Sequence, residues 1–308
     1  HLETMAKAGI SSTIIYMPEV ISLDDYCRAA AAAGLSVEAR IFPSWQSEKP
    51  VLRKLPEEAL QEMEKRFGIR LIGTCANHPD NHKSFLAATR NLLEKYSDRL
   101  SAIHLDFIRN DNAVLLMDYP CHCDACQELY QRFFAEALPS ASVINSNPAI
   151  FYKLVALRNQ QVTKLLKNTG KLTKEYGVEL TIAARANYLN SKDIVDPPVW
   201  GLGPAVLEGQ DWVQWCDDEL IDAVYPMNYH TDLSFFKAVL DDHLRLMKPD
   251  LPKLFSGIGV SSSMGKIQPK ELAQRLELVK NAKLPGAVLF NKTNIYSDEF
   301  LKTIAEFR

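Results

Sequence analysis

Residues 210–232 read QDWVQWCDDELIDAVYPMNYHTD, and this stretch joins a helical pattern to a buried strand whose far end turns polar. The residues from Asp222 to Tyr225 suit a strand. Polar and aromatic side chains then crowd together at 227–232, where the strand meets solvent. Functional groups of α/β proteins gather at such strand ends, so this segment predicts a site.

A second strand with a polar end lies at residues 102–111, AIHLDFIRND. It is apolar and β-favouring through Ile103 and Leu105, yet it carries an acid at Asp106 and a base at Arg109. Because the carboxyl ends of parallel strands gather at one edge of a sheet, the two polar ends predict one shared pocket.

Short apolar, β-branched runs recur along the chain between amphipathic helical patterns. Near-continuous apolar strands favour a parallel sheet covered on both faces, because antiparallel strands more often alternate. Eight such runs predict an α/β protein with a single (β/α)8 barrel domain, a TIM barrel, over residues 1–308. They lie at 12–17, 36–42, 69–74, 102–108, 179–186, 222–229, 253–260 and 286–293. A strand upstream of residue 1 is the alternative, and in that case the run at 69–74 is a loop.

The overall composition is that of a folded globular protein. Hydrophobic residues make up 47% and charged residues 24% of the chain, which excludes long disordered or collagen-like regions. The net charge of -3 does not indicate the basic surface that nucleic-acid binding requires. No apolar run reaches the length of a membrane-spanning helix.

Residues 110–150 are interpreted as an inserted loop region that carries the motif CHCDAC. Its cysteines have the spacing of metal ligands, which predicts a structural zinc that does not activate water. The fourth ligand would come from Cys75, His122 or a more distant residue. Reduced thiols at the start of a helix are the alternative interpretation. The three cysteines of the motif are Cys121, Cys123 and Cys126.

Three segments of the chain resemble a known group of proteins. They are ANHPDNHKSFLAATRNLLEKY (76–96) leading into AIHLDFIRND (102–111), the stretch 210–232, and GAVLFNKT (286–293). In order and spacing they are similar to the glycoside hydrolases of the family-10-like barrel group, which are related to the hydrolase domain of bacterial exopolysaccharide deacetylases and more remotely to chitinase-type enzymes. The resemblance implies hydrolysis of an oligo- or polysaccharide without a catalytic cofactor, and a secreted or periplasmic location.

The resemblance also assigns roles to residues at both polar strand ends. Asp106 corresponds to the acid on the group's fourth strand, with Arg109 beside it, and residues 227–229 resemble the element that lines the floor of the sugar site. One position departs from the chitinase-type pattern, because Ile108 stands where those enzymes have their proton-donating glutamate. Substrate-assisted hydrolysis with that donor is therefore not supported.

Glycosidic cleavage requires two carboxyl groups facing one sugar ring. One donates a proton to the leaving oxygen, and the other activates water or attacks carbon. Asp106 is the first catalytic candidate, with an ion pair to Arg109 that only ties strands together as the alternative. Asp232 is the second candidate, with a cap on the following helix as its alternative role.

Three other acids are rivals for the second position: Glu38, Asp222 and Glu208. Glu38 alternates with Arg40 on a short strand, so an ion pair in the barrel core is its alternative role. Asp222 precedes the apolar part of its strand, which places it at the amino end and favours a structural role.

Aromatic and polar side chains near strand ends are candidates for sugar binding. Aromatic rings pack against the CH faces of sugars, although an aromatic residue at a barrel rim is often just packing beneath a loop. Amide, imidazole and guanidinium groups hydrogen-bond hydroxyls. The predicted sugar-binding set is Arg109, Trp45, Asn77, His78, Arg185, Asn187, Tyr188, Met227, Asn228, Tyr229, Phe290 and Asn291.

Two other classes of function bear on this sequence. A barrel without catalytic power would bind a glycan and not cut it, which is the main alternative. A metal-dependent amidohydrolase or deacetylase barrel would carry His-x-His on an early strand. That pair is absent from 12–17 and 36–42, so this class is not predicted.

Overall fold

The computed structural model describes residues 1–16, 22–43, 49–68, 70, 72–110, 120–188, 205–290, 295 and 297–308. Two predicted sugar-binding residues, Trp45 and Asn291, lie outside these ranges. Among the residues inside them, no helix has the length and hydropathy needed to cross a lipid bilayer.

Five parallel strands form one curled sheet, in which they are ordered as along the chain. They are β1 (Ser12–Tyr16), β2 (Ser36–Ile41), β3 (Ala102–Leu105), β4 (Glu179–Ala184) and β5 (Ala223–Pro226). Helices lie between successive strands, as parallel pairing requires. The predicted α/β class with a parallel sheet is thereby confirmed, while closure into eight strands stays a prediction.

Two further strands continue the parallel arrangement. A parallel bridge between Val224 and Leu254 connects β5 to the segment leading into β6 (Ser256–Gly259). Directly after β6, the two-residue strands β7 (Ser261–Ser262) and β8 (Gly265–Lys266) form a small antiparallel hairpin. Strand β6 pairs in parallel with β9 (Ala287–Phe290).

Helices cover the sheet, and their ends follow local sequence signals. Ser22 caps α2 by accepting a hydrogen bond from the backbone of Asp25. Proline occupies the first turn of α4, α7 and α10, where its missing N–H is not needed. The helices are α1 (Leu2–Lys7), α2 (Leu23–Ala32), α3 (Glu57–Phe67), α4 (Pro79–Tyr96), α5 (Asp124–Phe134), α6 (Ala141–Ser146), α7 (Pro148–Glu175), α8 (Trp212–Asp217), α9 (Leu233–Leu246), α10 (Pro269–Asn281) and α11 (Asp298–Ala305), with 3-10 turns at Ala205–Glu208 and Leu251–Lys253.

The apolar run at 69–74 is not a barrel strand in its described residues. Gly68 ends α3 in the left-handed conformation, with a φ of 68°. Thr74 then forms an isolated antiparallel bridge with Leu52, and Ile72 is 41% exposed. The prediction of a strand here is wrong and the loop alternative applies, because the run pairs with the segment around Leu52 and not with the sheet.

The two faces of the sheet have different chemistry. Alternate residues of the strands, such as Ile103, Leu105 and Ile182, belong to a large apolar cluster that includes helix residues Leu93 and Leu166. Burial of a side chain of this size contributes about 2 kcal/mol. The residues between them, on the other face, are polar and meet one another inside the curl of the sheet. These are Glu38 and Arg40 of β2, His104 of β3, Thr181 of β4 and Tyr225 of β5, followed by Asp106 at the end of β3.

Candidate active site

Asp106 follows β3 and lies at the carboxyl end of the parallel sheet, with 6% of its surface exposed. Its Oδ2 accepts hydrogen bonds from Nε and Nη2 of Arg40, at 3.0 and 2.6 Å. Its Oδ1 accepts from the backbone N–H of Phe107 at 2.7 Å, and its own N–H donates to the carbonyl of Ile41. The carboxylate is thus fixed by β2 on one side and by its own turn on the other.

Arg109 does not pair with Asp106, contrary to the sequence-based alternative. Its Nε lies 3.1 Å from Oε2 of Glu208, which also accepts from Nε of Arg185 at 2.7 Å, while Nη2 of Arg185 reaches Oε1 at 3.0 Å. All three side chains are buried. This ion triad (Arg109, Glu208, Arg185) joins the ends of β3 and β4, because Arg109 follows one strand and Arg185 the other.

The triad contains two predicted sugar-binding residues, Arg109 and Arg185. It also contains Glu208, one of the rival candidates for the second catalytic acid. Glu208 is 1% exposed and shared between two guanidinium groups. The backbone N–H of Arg185 donates to Oε1 of Gln210, whose amide in turn donates to the carbonyl of Ala183. Removing one member of a buried ion pair typically costs about 3–5 kcal/mol. The geometry therefore gives Glu208 a structural role.

Glu38 lies in the interior of the curled sheet, where its carboxylate accepts from hydroxyl groups, while Arg40 pairs with Asp106 in place of the alternative ion pair with Glu38. Its Oε2 accepts from the hydroxyl of Thr181 at 2.7 Å and its Oε1 from the hydroxyl of Tyr225 at 3.0 Å. Burial raises the pKa of Glu38, and the hydrogen bonds from Thr181 and Tyr225 lower it in part. Arg40 instead reaches further along β2 towards Asp106.

His104 completes this interior network (Glu38, His104, Thr181, Tyr225). Its Nδ1 lies 2.9 Å from the hydroxyl oxygen of Thr181 and its ring stacks on Tyr225 at 5.3 Å. When Thr181 donates to Glu38, its oxygen is left to accept from the Nδ1–H of His104. Burial lowers the pKa of His104 to about 4, so the ring is neutral at pH 7.

Tyr229 follows β5, at the same edge of the parallel sheet as Asp106. Burial raises the pKa of Tyr229; the charge of Asp106 raises it further and that of Arg40 lowers it. The ring stacks on Phe290, with centroids 5.2 Å apart and planes at 14°. Gly259 makes room for it, since a Cβ at this glycine would lie 2.9 Å from Cβ of Tyr229. Strands β3 and β5 both pair in parallel with β4, so their polar ends lie at the same edge of the sheet, and the shared pocket stays a prediction.

Met227 and Asn228 occupy the segment between β5 and Tyr229. The N–H of Met227 donates to the carbonyl of Ala184, which extends the pairing with β4. Asn228 is fully buried, and its amide donates to the carbonyl of Phe236 at 2.9 Å. Asn228 thus ties the strand end to α9.

Asp232 is exposed and caps α9. One of its carboxylate oxygens accepts from the backbone N–H groups of Ser234 and Phe235, at 2.8 and 3.0 Å, and from the hydroxyl of Ser234. The hydrogen bonds from the Ser234 side chain and the Phe235 backbone lower the pKa of Asp232. A proton donor needs a raised pKa, so the geometry favours the capping alternative for Asp232.

The four remaining predicted sugar-binding residues with described positions, His78, Tyr188, Asn187 and Asn77, form hydrogen bonds with other groups of the protein. His78 caps α4, with Nδ1 accepting from the N–H of Asp80. Tyr188 donates its hydroxyl hydrogen to Asp211. Asn187 is buried, and its carbonyl accepts from the N–H of Ala205. Asn77 donates its amide to a cysteine sulphur of the inserted region.

The Cys cluster (Cys75, Cys121, Cys123, Cys126) brings four buried thiols together, with all Sγ atoms within 4.8 Å of one another. Cys75 is thus the fourth member among the alternatives raised by the sequence. Its Sγ lies 3.5 Å from that of Cys126 and 3.7 Å from that of Cys123. Zinc–thiolate bonds of about 2.3 Å in a tetrahedron separate sulphurs by roughly 3.8 Å, so the four side chains fit a structural zinc ion.

Hydrogen bonds favour the thiolate form at Cys121, whereas a hydrogen bond with Cys121 raises the pKa of both Cys75 and Cys126. The backbone N–H of Lys54 donates to Sγ of Cys121 at 3.3 Å. Hydrogen bonds from Cys126 and Cys75 lower the pKa of Cys121. All six cysteines of the chain are free, so no disulfide competes for these sulphurs.

The Cys cluster and the turn after Asp106 border one small cavity. Its volume of about 30 Å³ suits one or two waters and not a sugar ring. Cys75 and Ala76 line it from one side, and Phe107, Ile108 and Arg109 line it from the other. Cys75 therefore connects the cluster to the turn that follows Asp106.

The chain is similar to known proteins in structure but not in sequence. No protein-family model and no curated protein matches the chain. Similar solved structures include the glycoside hydrolase domain of PgaB (BpsB) from Bordetella bronchiseptica, with 12% identity and a TM-score of 0.67 over 97% of this chain and 89% of that one. The chain shares its fold with glycoside hydrolase barrels.

Two further enzymes show the same likeness. A β-galactosidase from Rahnella sp. R3 has 12% identity and a TM-score of 0.64 over 99% of this chain, which spans 52% of that enzyme. An endo-β-1,4-mannanase from Thermotoga petrophila has 12% identity and a TM-score of 0.58, with 99% and 71% of the two chains covered. The resemblance to glycoside hydrolase barrels inferred from the sequence is thus confirmed at the level of the fold.

Sequence reasoning missed Arg40 as the partner of Asp106. The signal was present, because Arg40 stands two residues beyond Glu38 on β2 and so faces the same side nearer the carboxyl end. It also missed Phe107, whose backbone N–H holds Oδ1 of Asp106.

Proposed function

We propose that the protein is a glycoside hydrolase that cleaves an oligo- or polysaccharide, with Asp106 as its central catalytic carboxylate. The observation that carries the proposal is a buried acid at the carboxyl end of a parallel strand, with both of its carboxylate oxygens held by hydrogen bonds. Active sites of α/β barrels lie at this edge. A secreted or periplasmic location belongs to the same proposal.

Asp106 is surrounded by hydrogen-bond donors. The groups around its two oxygens are N–H donors from Arg40 and Phe107, and such donors complement a carboxylate. An ionised acid beside the sugar serves as nucleophile or as the base that activates water. It also stabilises the positive charge that develops at the sugar carbon.

The proton donor is a second acid facing Asp106 across the sugar. Asp232 is the sequence-based candidate, but its capping bonds lower its pKa and work against that role. Three other acids follow strand ends in the sequence and belong in the same mutational test: Glu19 after β1, Glu48 after β2 and Asp111 after β3.

A glycan-binding barrel without activity is the second candidate function. Two observations favour it: Ile108 stands where chitinase-type enzymes have their acid, and Arg40 neutralises the charge of Asp106. This candidate predicts retention of a polysaccharide with no new reducing ends.

The deciding experiment incubates the protein with a panel of polysaccharides and measures new reducing ends. Asp106→Asn should abolish release while the far-UV spectrum stays that of wild type, which shows that the variant is folded. Asp241→Asn is the matched control, because Asp241 is an exposed acid of α9 paired with Lys237. Unchanged release by Asp106→Asn would refute the assignment, and binding without release would favour the second candidate.

We also propose that the Cys cluster holds a structural zinc ion. When bound, zinc would fix residues 121–126 to Cys75 and so brace the loop that borders the turn after Asp106. Protein purified without chelator should contain about one zinc per chain, and Cys75→Ser should lose it. If elemental analysis finds no zinc in the wild-type protein, the zinc proposal is refuted and the four cysteines are reduced thiols.

A further inference from the structure

Phe107 has an unusual backbone conformation. Its φ is +55°, which is sterically unfavourable for a bulky L residue. The other non-glycine residues with positive φ in the described part of the chain are Ala135, Glu219 and Lys283. Each of these lies where a helix ends, which is the usual place for a left-handed residue. Phe107 follows a strand, so helix termination does not explain its conformation.

The turn at Phe107 organises the candidate active site. The N–H of Phe107 donates to Oδ1 of Asp106, and its carbonyl accepts from the N–H of Arg109 at 2.8 Å. Asp106, Ile108 and Arg109 are buried, whereas Phe107 is 38% exposed. The strained turn thus aims a carboxylate inwards and presents a large apolar ring to solvent beside it.

The exposed ring is also held in place. The guanidinium carbon of Arg109 lies 4.4 Å from the ring centroid of Phe107, and the ring of Phe42 lies 5.4 Å away at 52°. Arg109 is itself fixed by Glu208 of the ion triad. A ring ordered in this way before ligand arrives loses little conformational entropy on binding.

We infer that Phe107 is a sugar-packing residue, against which the CH face of a pyranose ring of the substrate lies next to Asp106. Backbone strain next to a functional group is retained where it serves that function. Aromatic rings bind the apolar faces of sugars through burial and CH–π contact. The inference rests on the proposed function, since it concerns the ligand that Asp106 would act upon.

The test variant is Phe107→Asn, because Asn tolerates the left-handed region better than Phe does. This variant should fold with a thermal midpoint no lower than that of wild type, yet raise KM for the cleaved polysaccharide about tenfold, or Kd if the protein binds without cleaving. That factor corresponds to about 1.4 kcal/mol. Phe107→Tyr keeps the ring and should stay within about twofold of wild type.

Phe133→Ala is the matched control, because Phe133 is an exposed ring of α5 in the inserted region. It should leave KM unchanged. If wild type binds or cleaves a glycan and Phe107→Asn has the same KM or Kd, the inference fails while the proposed function stands. Equal impairment of Phe107→Tyr and Phe107→Asn would also overturn it, because the tyrosine ring should restore packing. If wild type neither binds nor cleaves any glycan of the panel, the proposed function and this inference fail together.

Discussion

Acidification from pH 7 to pH 5 should destabilise the protein through His243 of α9. This side chain is 1% exposed, and its Nε2 lies 2.6 Å from the carbonyl oxygen of Ala186. Its Nδ1 has no hydrogen-bond partner among the described residues. A second ring proton would therefore be buried without an acceptor, and burial lowers the pKa of His243 to about 4.

The magnitude follows from proton linkage. The unfolded state has the ordinary histidine pKa of about 6.5, so between about pH 6.5 and pH 4 it binds a proton that the folded state does not. Stability is full above pH 6.5 and falls as the pH drops through this window. At pH 5, which lies about 1.5 units below the pKa in the unfolded state, protonation of His243 in the unfolded state lowers the free energy of unfolding by roughly 2 kcal/mol. His104, whose pKa is also about 4, adds a similar loss, whereas the raised pKa of Glu38 offsets part of it.

The assay isolates His243 by comparing two proteins at each pH. In His243→Gln the amide nitrogen takes the place of Nε2 and donates to Ala186 without titrating. Urea unfolding, followed by the fluorescence of buried Trp212 and Trp215, gives the free energy of unfolding at pH 7, 6 and 5. The loss between pH 7 and pH 5 should be about 2 kcal/mol smaller in the variant than in wild type.

Two results would refute this reasoning. Parallel pH profiles for wild type and His243→Gln would show that the buried ring does not titrate differently in the two states. A shift of the same size in His122→Gln, a substitution at a half-buried histidine of the inserted region, would show that the effect is not specific to burial.

Three further predictions concern the site. Arg40→Met removes both side-chain donors from Oδ2 of Asp106; it should cost about 2 kcal/mol in urea unfolding and lower activity as strongly as Asp106→Asn. Gly259→Ala places a Cβ 2.9 Å from that of Tyr229, so overpacking should cost about 1–3 kcal/mol and raise KM. Asp232→Ala should lower the thermal midpoint through loss of the α9 cap while kcat stays within about twofold; loss of kcat at an unchanged midpoint would restore Asp232 as a catalytic candidate.

Strand positions could be predicted from the sequence where the apolar run was both buried and paired. Runs such as 36–42 and 179–186 became β2 and β4, because a parallel strand covered on both faces has few exposed positions. The run at 69–74 has the same local composition but pairs with the segment around Leu52. Local composition does not encode the pairing partner, so this error could not be avoided from the pattern alone.

The candidate site was partly predictable for a similar reason. Strand ends supplied Asp106 and Tyr229, because parallel strands deliver their carboxyl ends to one edge. The ion-pair partner was not predictable from proximity in sequence: Arg109 is three residues from Asp106, yet Arg40, sixty-six residues away, holds the carboxylate. The fourth cysteine likewise comes from Cys75, which is distant from the CHCDAC motif and joins it only through the fold.

The triad of Arg109, Glu208 and Arg185 has a consequence for how this protein can diverge. One acid pairs with two cations that follow different strands, so loss of Glu208 would remove an ion-pair partner from both arginines at once. A substitution of Glu208 should therefore be tolerated better when both arginines are exchanged with it. In a combinatorial library at these three positions, functional clones should retain all three residues or replace all three. Clones that replace only one or two of them should be depleted.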